Sequence, residues 1–281
     1  MPERAMYDLA GKVALITGAG GEKGFGRAIA NRLSQEGAHI AVSDLAANPY
    51  GGSGWGGVAS VVAEIEAKGG QAMQVLADVS DATAVDSMVA QVIDRFGRLD
   101  ILVANAGSRP GKDRVPVVEL TEEAFDEVQR INVKGTFLCC RAAARHMIDR
   151  DGGGRIIIIS STAGKRGVAR FAAYCASKFA LVGFTQSLAL ELAPNQVNVN
   201  AICPGFAMTE RMTEIADALR DENQSLKDKL ASMHRERADA TPLGRTTEPR
   251  DIANMAAFLA SDQSDYMTGL SLTVAGGNVM T

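Results

Sequence analysis

At 281 residues, with 29 basic against 33 acidic side chains and a formal charge of −4, the chain has no cationic excess with which to hold nucleic acid or an anionic membrane surface. No apolar run approaches the length of a membrane span, and residues 1–10, with Glu3, Arg4 and Asp8, form no secretory leader, so a cytoplasmic protein is expected. Cys139, Cys140, Cys175 and Cys203 lack any Cys-x-x-Cys spacing, and His39, His146 and His234 are scattered, so no metal site is expected and the thiols read as small buried apolar groups.

In chain order, the apolar run 13–17 predicts a buried strand that enters a glycine-rich turn, Gly18-Ala19-Gly20-Gly21-Glu22-Lys23-Gly24-Phe25-Gly26, and then a helix over 28–36. Strand, bare-backbone turn and helix in that order present free N–H groups and the positive end of a helix dipole, a seat for a pyrophosphate. A second strand, 39–44, ends in Asp44, where a carboxylate suits a ribose 2'-hydroxyl. Further strands are expected at 72–76, 100–104, 155–160, 197–202 and 271–274, and helices at 58–68, 82–96, 125–148, 173–192 and 249–260. Asp81, and Thr121 followed by Glu122 and Glu123, are helix-start signals. The alternation predicts a single α/β domain over residues 1–281, a doubly wound parallel sheet of about seven strands with helices on both faces and ligands at the carboxyl ends of the strands.

Two stretches depart from this pattern. Residues 46–57 are rich in glycine and follow Asp44 directly; they read either as a neighbour of the adenosine end of a cofactor or as a surface insertion. Residues 208–240 are charged, with Ile215, Leu219, Leu226, Leu230 and Met233 at helical spacing, and predict one or two amphipathic helices broken around 221–225.

Tyr174 and Lys178 stand one helical turn apart, so an ammonium can lie beside a phenol and favour its phenolate. Ser161 follows the run Ile156-Ile157-Ile158-Ile159 and supplies a hydroxyl at a strand mouth. Asn132, within Ile131-Asn132-Val133-Lys134-Gly135, reads either as part of that constellation or as a helix-kink residue.

Together these residues resemble the short-chain dehydrogenase/reductase family over Lys12 to about Gly277. The pattern comprises Thr17-Gly18 with Gly24 and Gly26, Asp78-Val79, Asn105-Ala106-Gly107, Asn132, Ser161, Tyr174 with Lys178, and Pro204-Gly205 before Thr209. The resemblance implies an oxidoreductase with a catalytic tetrad: Tyr174 as acid/base, Lys178 as its tuner and ribose ligand, Ser161 holding the substrate oxygen, and Asn132 supporting a proton relay. It also implies cofactor contacts along Gly18, Gly24, Phe25, Gly26, Asp44, Leu45, Asp78, Val79, Asn105, Ala106, Gly107, Pro204, Gly205 and Thr209, besides Tyr174 and Lys178. By the same resemblance residues 208–240 read as a substrate lid, or else their apolar stripe is an ordinary packing or subunit face, and a homo-oligomer, tetramer or dimer, is expected through the helices at 125–148 and 173–192.

The chain departs from the family pattern twice: five residues rather than three separate Gly18 from the next patterned glycine, and Ala275 stands where many relatives have an acid. Asp44 repels a 2'-phosphate and Leu45 and Ala46 offer it no cation, which favours NAD; Lys23, a basic residue before Gly24, points towards NADP and is outweighed. The expected activity is NAD-dependent interconversion of a small secondary alcohol and a ketone. The alternatives are an NADPH-dependent 3-oxoacyl thioester reductase and a non-catalytic dinucleotide-binding protein. Arg109, Lys112, Arg114, Lys165, Arg166 and Arg170, against the single acid Asp113, could receive an anionic or strongly polar substrate, or are solvated loop cations.

Overall fold

The computed structural model describes residues 6–51, 54–221 and 223–281; Glu3 and Arg4, part of the 46–57 stretch and one residue of the 221–225 break lie outside them. Seven parallel strands form one sheet in the order β3-β2-β1-β4-β5-β6-β7, with β1 Val13–Thr17, β2 His39–Asp44, β3 Ala72–Leu76, β4 Ile101–Ala104, β5 Gly154–Ile159, β6 Val197–Pro204 and β7 Ser271–Val274. The connections reverse direction at β1, which pairs with β2 on one side and β4 on the other. That reversal opens a crevice beyond the carboxyl ends of the two strands.

Alternate side chains of the central strands feed two cores. On one face Leu15, Leu102, Ile156 and Val199 pack with Val85, Met88 and Val92 of α3 (Ala82–Phe96), Leu138 and Met147 of α5 (Thr136–Asp149) and Leu181 of α6 (Ala172–Leu192). On the other, Ile16, Val103, Ile157 and Ile202 meet Ile29 and Leu33 of α1 (Phe25–Gln35), Val61 and Ile65 of α2 (Val58–Glu66) and Ile252 and Leu259 of α9 (Pro249–Ala260). A sheet covered on both faces explains why these strands read as unbroken apolar runs rather than alternating ones.

Helix starts follow local chemistry. The Asp81 side chain accepts from the N–H groups of Thr83 and Ala84, and Thr121 Oγ1 accepts from Ala124 N, opening α4 (Glu122–Gln129). The continuous helix expected over 125–148 is instead two: Arg130–Gly135 forms one wide π turn between α4 and α5. Gly135 lies so near Val79 that a Cβ there would stand 2.8 Å from Val79 Cγ2. Residues 208–240 form α7 (Arg211–Leu219) and α8 (Leu226–Asp239), the latter capped by Ser225. No helix among the described residues is long and apolar enough to cross a membrane.

Candidate active site

The crevice is walled on one side by the turn after β1. Gly18, with φ +64°, passes so near the β4 exit that a Cβ would lie 2.7 Å from Ala106 Cα, and one on Gly26 would lie 2.6 Å from Gly18 O. Only glycine fits either position. Asn105 Nδ2 ties the two strand ends together by donating to Thr17 O and Gly18 O, each at 2.8 Å. Thr17 Oγ1 accepts from the N–H groups of Asn105 and Ala106 at 3.1 Å.

The opposite wall is built from β5 and α6. Ser161 leaves β5 in extended backbone, and its Oγ accepts from Ala163 N at 3.1 Å. Lys178, buried, donates from Nζ to Ile159 O at 2.8 Å, while Ser160 Oγ donates to Lys178 O at 2.9 Å. Strand end and helix are thereby locked together. Lys178 Nζ stands 5.7 Å from the centre of the half-buried Tyr174 ring. Burial, reinforced by nearby Arg211, pushes the lysine ammonium down to about 7.

Asn132 lies in the π turn, 1% exposed. Its Nδ2 donates to Ser177 Oγ at 2.9 Å, its Oδ1 accepts from Ser108 N at 2.7 Å, and its carbonyl accepts from Thr136 Oγ1 at 2.7 Å. Ser177 Oγ in turn donates to Tyr174 O at 2.7 Å. Asn132 therefore pins the loop after β4 to the tyrosine-bearing helix, and the π turn, a feature frequent at functional sites, puts it there.

Among the sequence-derived residues, Gly18, Gly24, Phe25, Asn105, Ser161, Tyr174, Lys178, Gly205 and Thr209 border one cleft. Gly26, Asp44, Leu45, Asp78, Val79, Ala106, Gly107, Asn132 and Pro204 do not border it but frame it or lie beside it. Asp44 is half-buried; its Oδ2 accepts from Gly20 N at 2.9 Å and its Oδ1 from Leu45 N at 2.8 Å. Asp78 Oδ1 holds Ser80 through N–H and hydroxyl at 2.8 and 2.7 Å, which fixes the chain after β3 locally. All four cysteines are buried, and no group of three or more potential ligands for a metal lies among the described residues.

Sequence reasoning missed two residues here. Glu210 and Arg211, next after Thr209, reach back across the crevice. Glu210 Oε1 accepts from Lys23 N at the glycine-rich turn, and Arg211 Nη2 donates to Gly107 O at 2.7 Å. An acid followed by a base carries no periodicity, so nothing in the pattern marked them. The lengthened turn and the 46–57 stretch also proved to be partners. A Cβ on Gly20 would lie 2.7 Å from Pro49 Cδ, Trp55 Nε1 donates to Gly20 O at 2.8 Å, and the Arg27 guanidinium stacks 5.0 Å from the Trp55 ring.

Of the loop cations, Arg109 is committed to α7, 3.2 Å from Glu214, and stacks 4.9 Å from the Tyr50 ring. The exposed Arg166 donates to Asn278 Oδ1 at 2.7 Å, and Arg170 donates to Ala218 O at 3.5 Å. Arg114 differs: with buried Asp113 as its ion-pair partner, it is 3% exposed and stacks on Tyr174.

A dinucleotide fits this crevice. The turn is reduced to backbone at Gly18 and Gly26, a Cβ at Gly24 would meet nothing nearer than 3.8 Å, and a carboxylate already accepts a backbone N–H there, as a phosphate oxygen would.

A family model described as enoyl-(acyl carrier protein) reductase matches residues 18–278. A sorbitol dehydrogenase of Cereibacter sphaeroides is 38% identical over 274 residues, 97% of this chain and 99% of that one. A 3-oxoacyl-(acyl-carrier-protein) reductase of Staphylococcus aureus is 39% identical over 96% of this chain and 98% of its own. The crystal structure of a short-chain type dehydrogenase/reductase from Mycobacterium marinum matches with a TM-score of 0.83 at 34% identity, over 98% of each chain.

Proposed function

The chain belongs to the short-chain dehydrogenase/reductase family of oxidoreductases, and on that footing we propose that it moves a hydride between NAD(H) and a secondary alcohol or ketone. The observation that carries this reading is that Ser161, Tyr174 and Lys178 border the same cleft as the phosphate-binding turn.

In this reading Gly18, Gly24, Phe25 and Gly26 hold the pyrophosphate once Glu210 has moved aside. Asp44 and Leu45 take the adenosine ribose, Asp78 and Val79 the adenine. Asn105, Ala106, Gly107, Pro204, Gly205 and Thr209 flank the nicotinamide half, with Tyr174 and Lys178 at its ribose. When bound, the dinucleotide supplies the hydride acceptor or donor. Ser161 holds the substrate oxygen, and in the oxidative direction Tyr174 accepts the hydroxyl proton as the carbinol carbon gives up its hydride. Lys178, when charged, favours the phenolate that this requires. Asn132 supports proton transfer by fixing the tyrosine helix against the loop after β4.

The choice of NAD rests on Asp44, whose carboxylate opposes a 2'-phosphate, and on the exposed Leu45 beside it; the Lys23 side chain is exposed to solvent. NAD is expected to exceed NADP in kcat/KM by at least tenfold, about 1.4 kcal/mol, in a screen of secondary alcohols read by nicotinamide absorbance. A tenfold preference for NADP would favour the second reading, reduction of 3-oxoacyl thioesters with NADPH, the reaction class that the staphylococcal relative's name carries. A homo-oligomer, tetramer or dimer, is supported by Phe137 and Ile148 on α5 and Phe179 and Leu190 on α6, 40, 40, 45 and 79% exposed in the single chain.

A further inference from the structure

Among the buried cations of this molecule, Arg114 is placed for a task that the tetrad does not use. The turn that carries it is fixed by Arg114 N donating to Gly111 O at 3.0 Å and Gly111 N donating to Asp113 Oδ1 at 3.2 Å. The guanidinium lies 4.3 Å from the Phe171 ring centre and 4.7 Å from that of Tyr174, against an edge-to-face pair of those rings. Asp113 accepts from Nη1 alone. Nε is buried without a hydrogen-bond partner, and among the described residues Nη2 also makes no hydrogen bond. Nε and Nη2 form one of the two edges with which an arginine grips a carboxylate bidentately. Arg141, Arg150 and Arg155 likewise bury an unpaired Nε, but none of them borders the active-site cleft, whereas Arg114 does.

The rest of the cleft has the same sign. Arg166, Lys178, Arg211 and Arg237 also border it, and Glu210 is its one carboxylate among the described residues. A neutral polyol would leave the Arg114 edge desolvated and unpaired, which is costly for a charged donor. A carboxylate arriving at Nη2 would oppose the charge, and a small rotation of the guanidinium would bring Nε, closed to solvent in the structure, into the same grip.

Resting on the reading of the site as an alcohol/ketone oxidoreductase, we propose that Arg114 is a specificity-determining residue that receives the carboxylate of the substrate, which is therefore a short hydroxy acid or oxo acid. The guanidinium lies 4.7 Å from the centre of the ring whose hydroxyl is proposed to take the substrate oxygen, and on that proximity the proposal takes the carbinol and the carboxylate to be separated by one or two carbon–carbon bonds. The class is thus 2-hydroxy and 3-hydroxy acids with their oxo partners.

The test uses the full chain with saturating dinucleotide. Both enantiomers of lactate and 3-hydroxybutyrate are compared with their methyl esters, by kcat/KM and by calorimetric binding. At least one acid is expected to exceed its ester by about a hundredfold, the scale of a hydrogen-bonded charge pair. R114Q should collapse that ratio towards one, chiefly through KM for the acid. Taking the ratio cancels any effect that the variant has on Tyr174, since acid and ester use the same phenol. R114K keeps the charge but not the planar edge; it should recover less than a tenth of the ratio and serves as the reporting variant should R114Q fail to fold. An ester equal to its acid in the native enzyme, or variants that change acid and ester alike, would overturn the proposal while leaving the oxidoreductase reading intact. So would neutral alcohols being turned over while the acids neither bind nor react. Absence of dinucleotide binding, by contrast, sinks the oxidoreductase reading itself.

Discussion

The β5–α6 wall and the α7–α8 segment are held to different degrees. In the wall, Lys178, Ser160 and Ile159 are joined by buried hydrogen bonds of 2.8 and 2.9 Å, and a Cβ on Gly164 would come within 2.6 Å of Lys178 O. In the α7–α8 segment, α8 buries no residue; α7 buries Met212 and Ala216, is anchored through Arg211 to Gly107 O, and is also tied across the cleft through Arg109 and Glu214, side chains 57 and 30% exposed. Buried contacts in a close-packed interior admit one arrangement, whereas exposed charge pairs contribute little and exchange readily with water. The residues proposed for the chemistry therefore sit on a fixed frame, and α8, which buries no residue, is the least firmly held element beside the cleft.

Substitution tests that contrast, and the largest effect belongs to the wall. Tyr174→Phe removes the hydroxyl proposed to transfer the proton and keeps the ring against Arg114 and Phe171; kcat should fall by about 10³-fold or more, with dinucleotide affinity by calorimetry nearly unchanged. Turnover above a tenth of native would remove Tyr174 from the mechanism. Gly26→Ala comes next. The added methyl meets Gly18 O at 2.6 Å and Ala19 Cα at 2.7 Å, both backbone, so a loss of about 1–3 kcal/mol is expected, seen as a fall of several degrees in Tm. An unchanged Tm would mean that the turn yields.

The buried lysine gives a subtler handle. With its ammonium at about 7, Lys178 is half protonated at pH 7. Approach of an anionic dinucleotide raises it towards the ordinary 10.4 or so, so binding takes up protons. Uptake should be about half a proton at pH 7, approach one near pH 8.5 and vanish below pH 6. Calorimetry in buffers of different ionisation enthalpy measures it, and proton release, or no pH dependence, would contradict the buried-amine account. The smallest effect lies at α7: Arg109→Ala breaks a largely exposed pair and a stack on half-buried Tyr50, worth about 1 kcal/mol or less together, so Tm should move by no more than about 2 °C. A larger drop would show that this tie is part of the rigid frame.

What could be read from the sequence divides along the same line. The strands and most helices were visible because a doubly covered parallel sheet writes itself as apolar runs, and because Asp81 and Thr121 announce helix starts. Tyr174, Lys178, Ser161 and the glycines were visible because their roles depend on spacing or on a missing side chain. The π turn at Arg130–Gly135 was signalled only by the reading of Asn132 as a helix-kink residue, since Val128, Leu138 and Cys139 keep an apolar pattern across it. Arg114 stood out only as one of six loop cations; its burial is set by Phe171 and Tyr174, far away in sequence. Glu210 and Arg211 act through partners at Lys23 and Gly107, and pairings of that range leave no periodic trace.

The bond from Lys23 N–H to Glu210 has a kinetic consequence. If the glycine-rich turn seats phosphate as proposed, that seat is held by a carboxylate covalently tethered to the same chain, and a diffusing dinucleotide would compete with an internal rival whose effective concentration never dilutes. Association observed by stopped flow should then level off at high ligand, at the rate at which the tether lets go, and measured affinity should be weaker than intrinsic affinity by the fraction of molecules with Glu210 displaced.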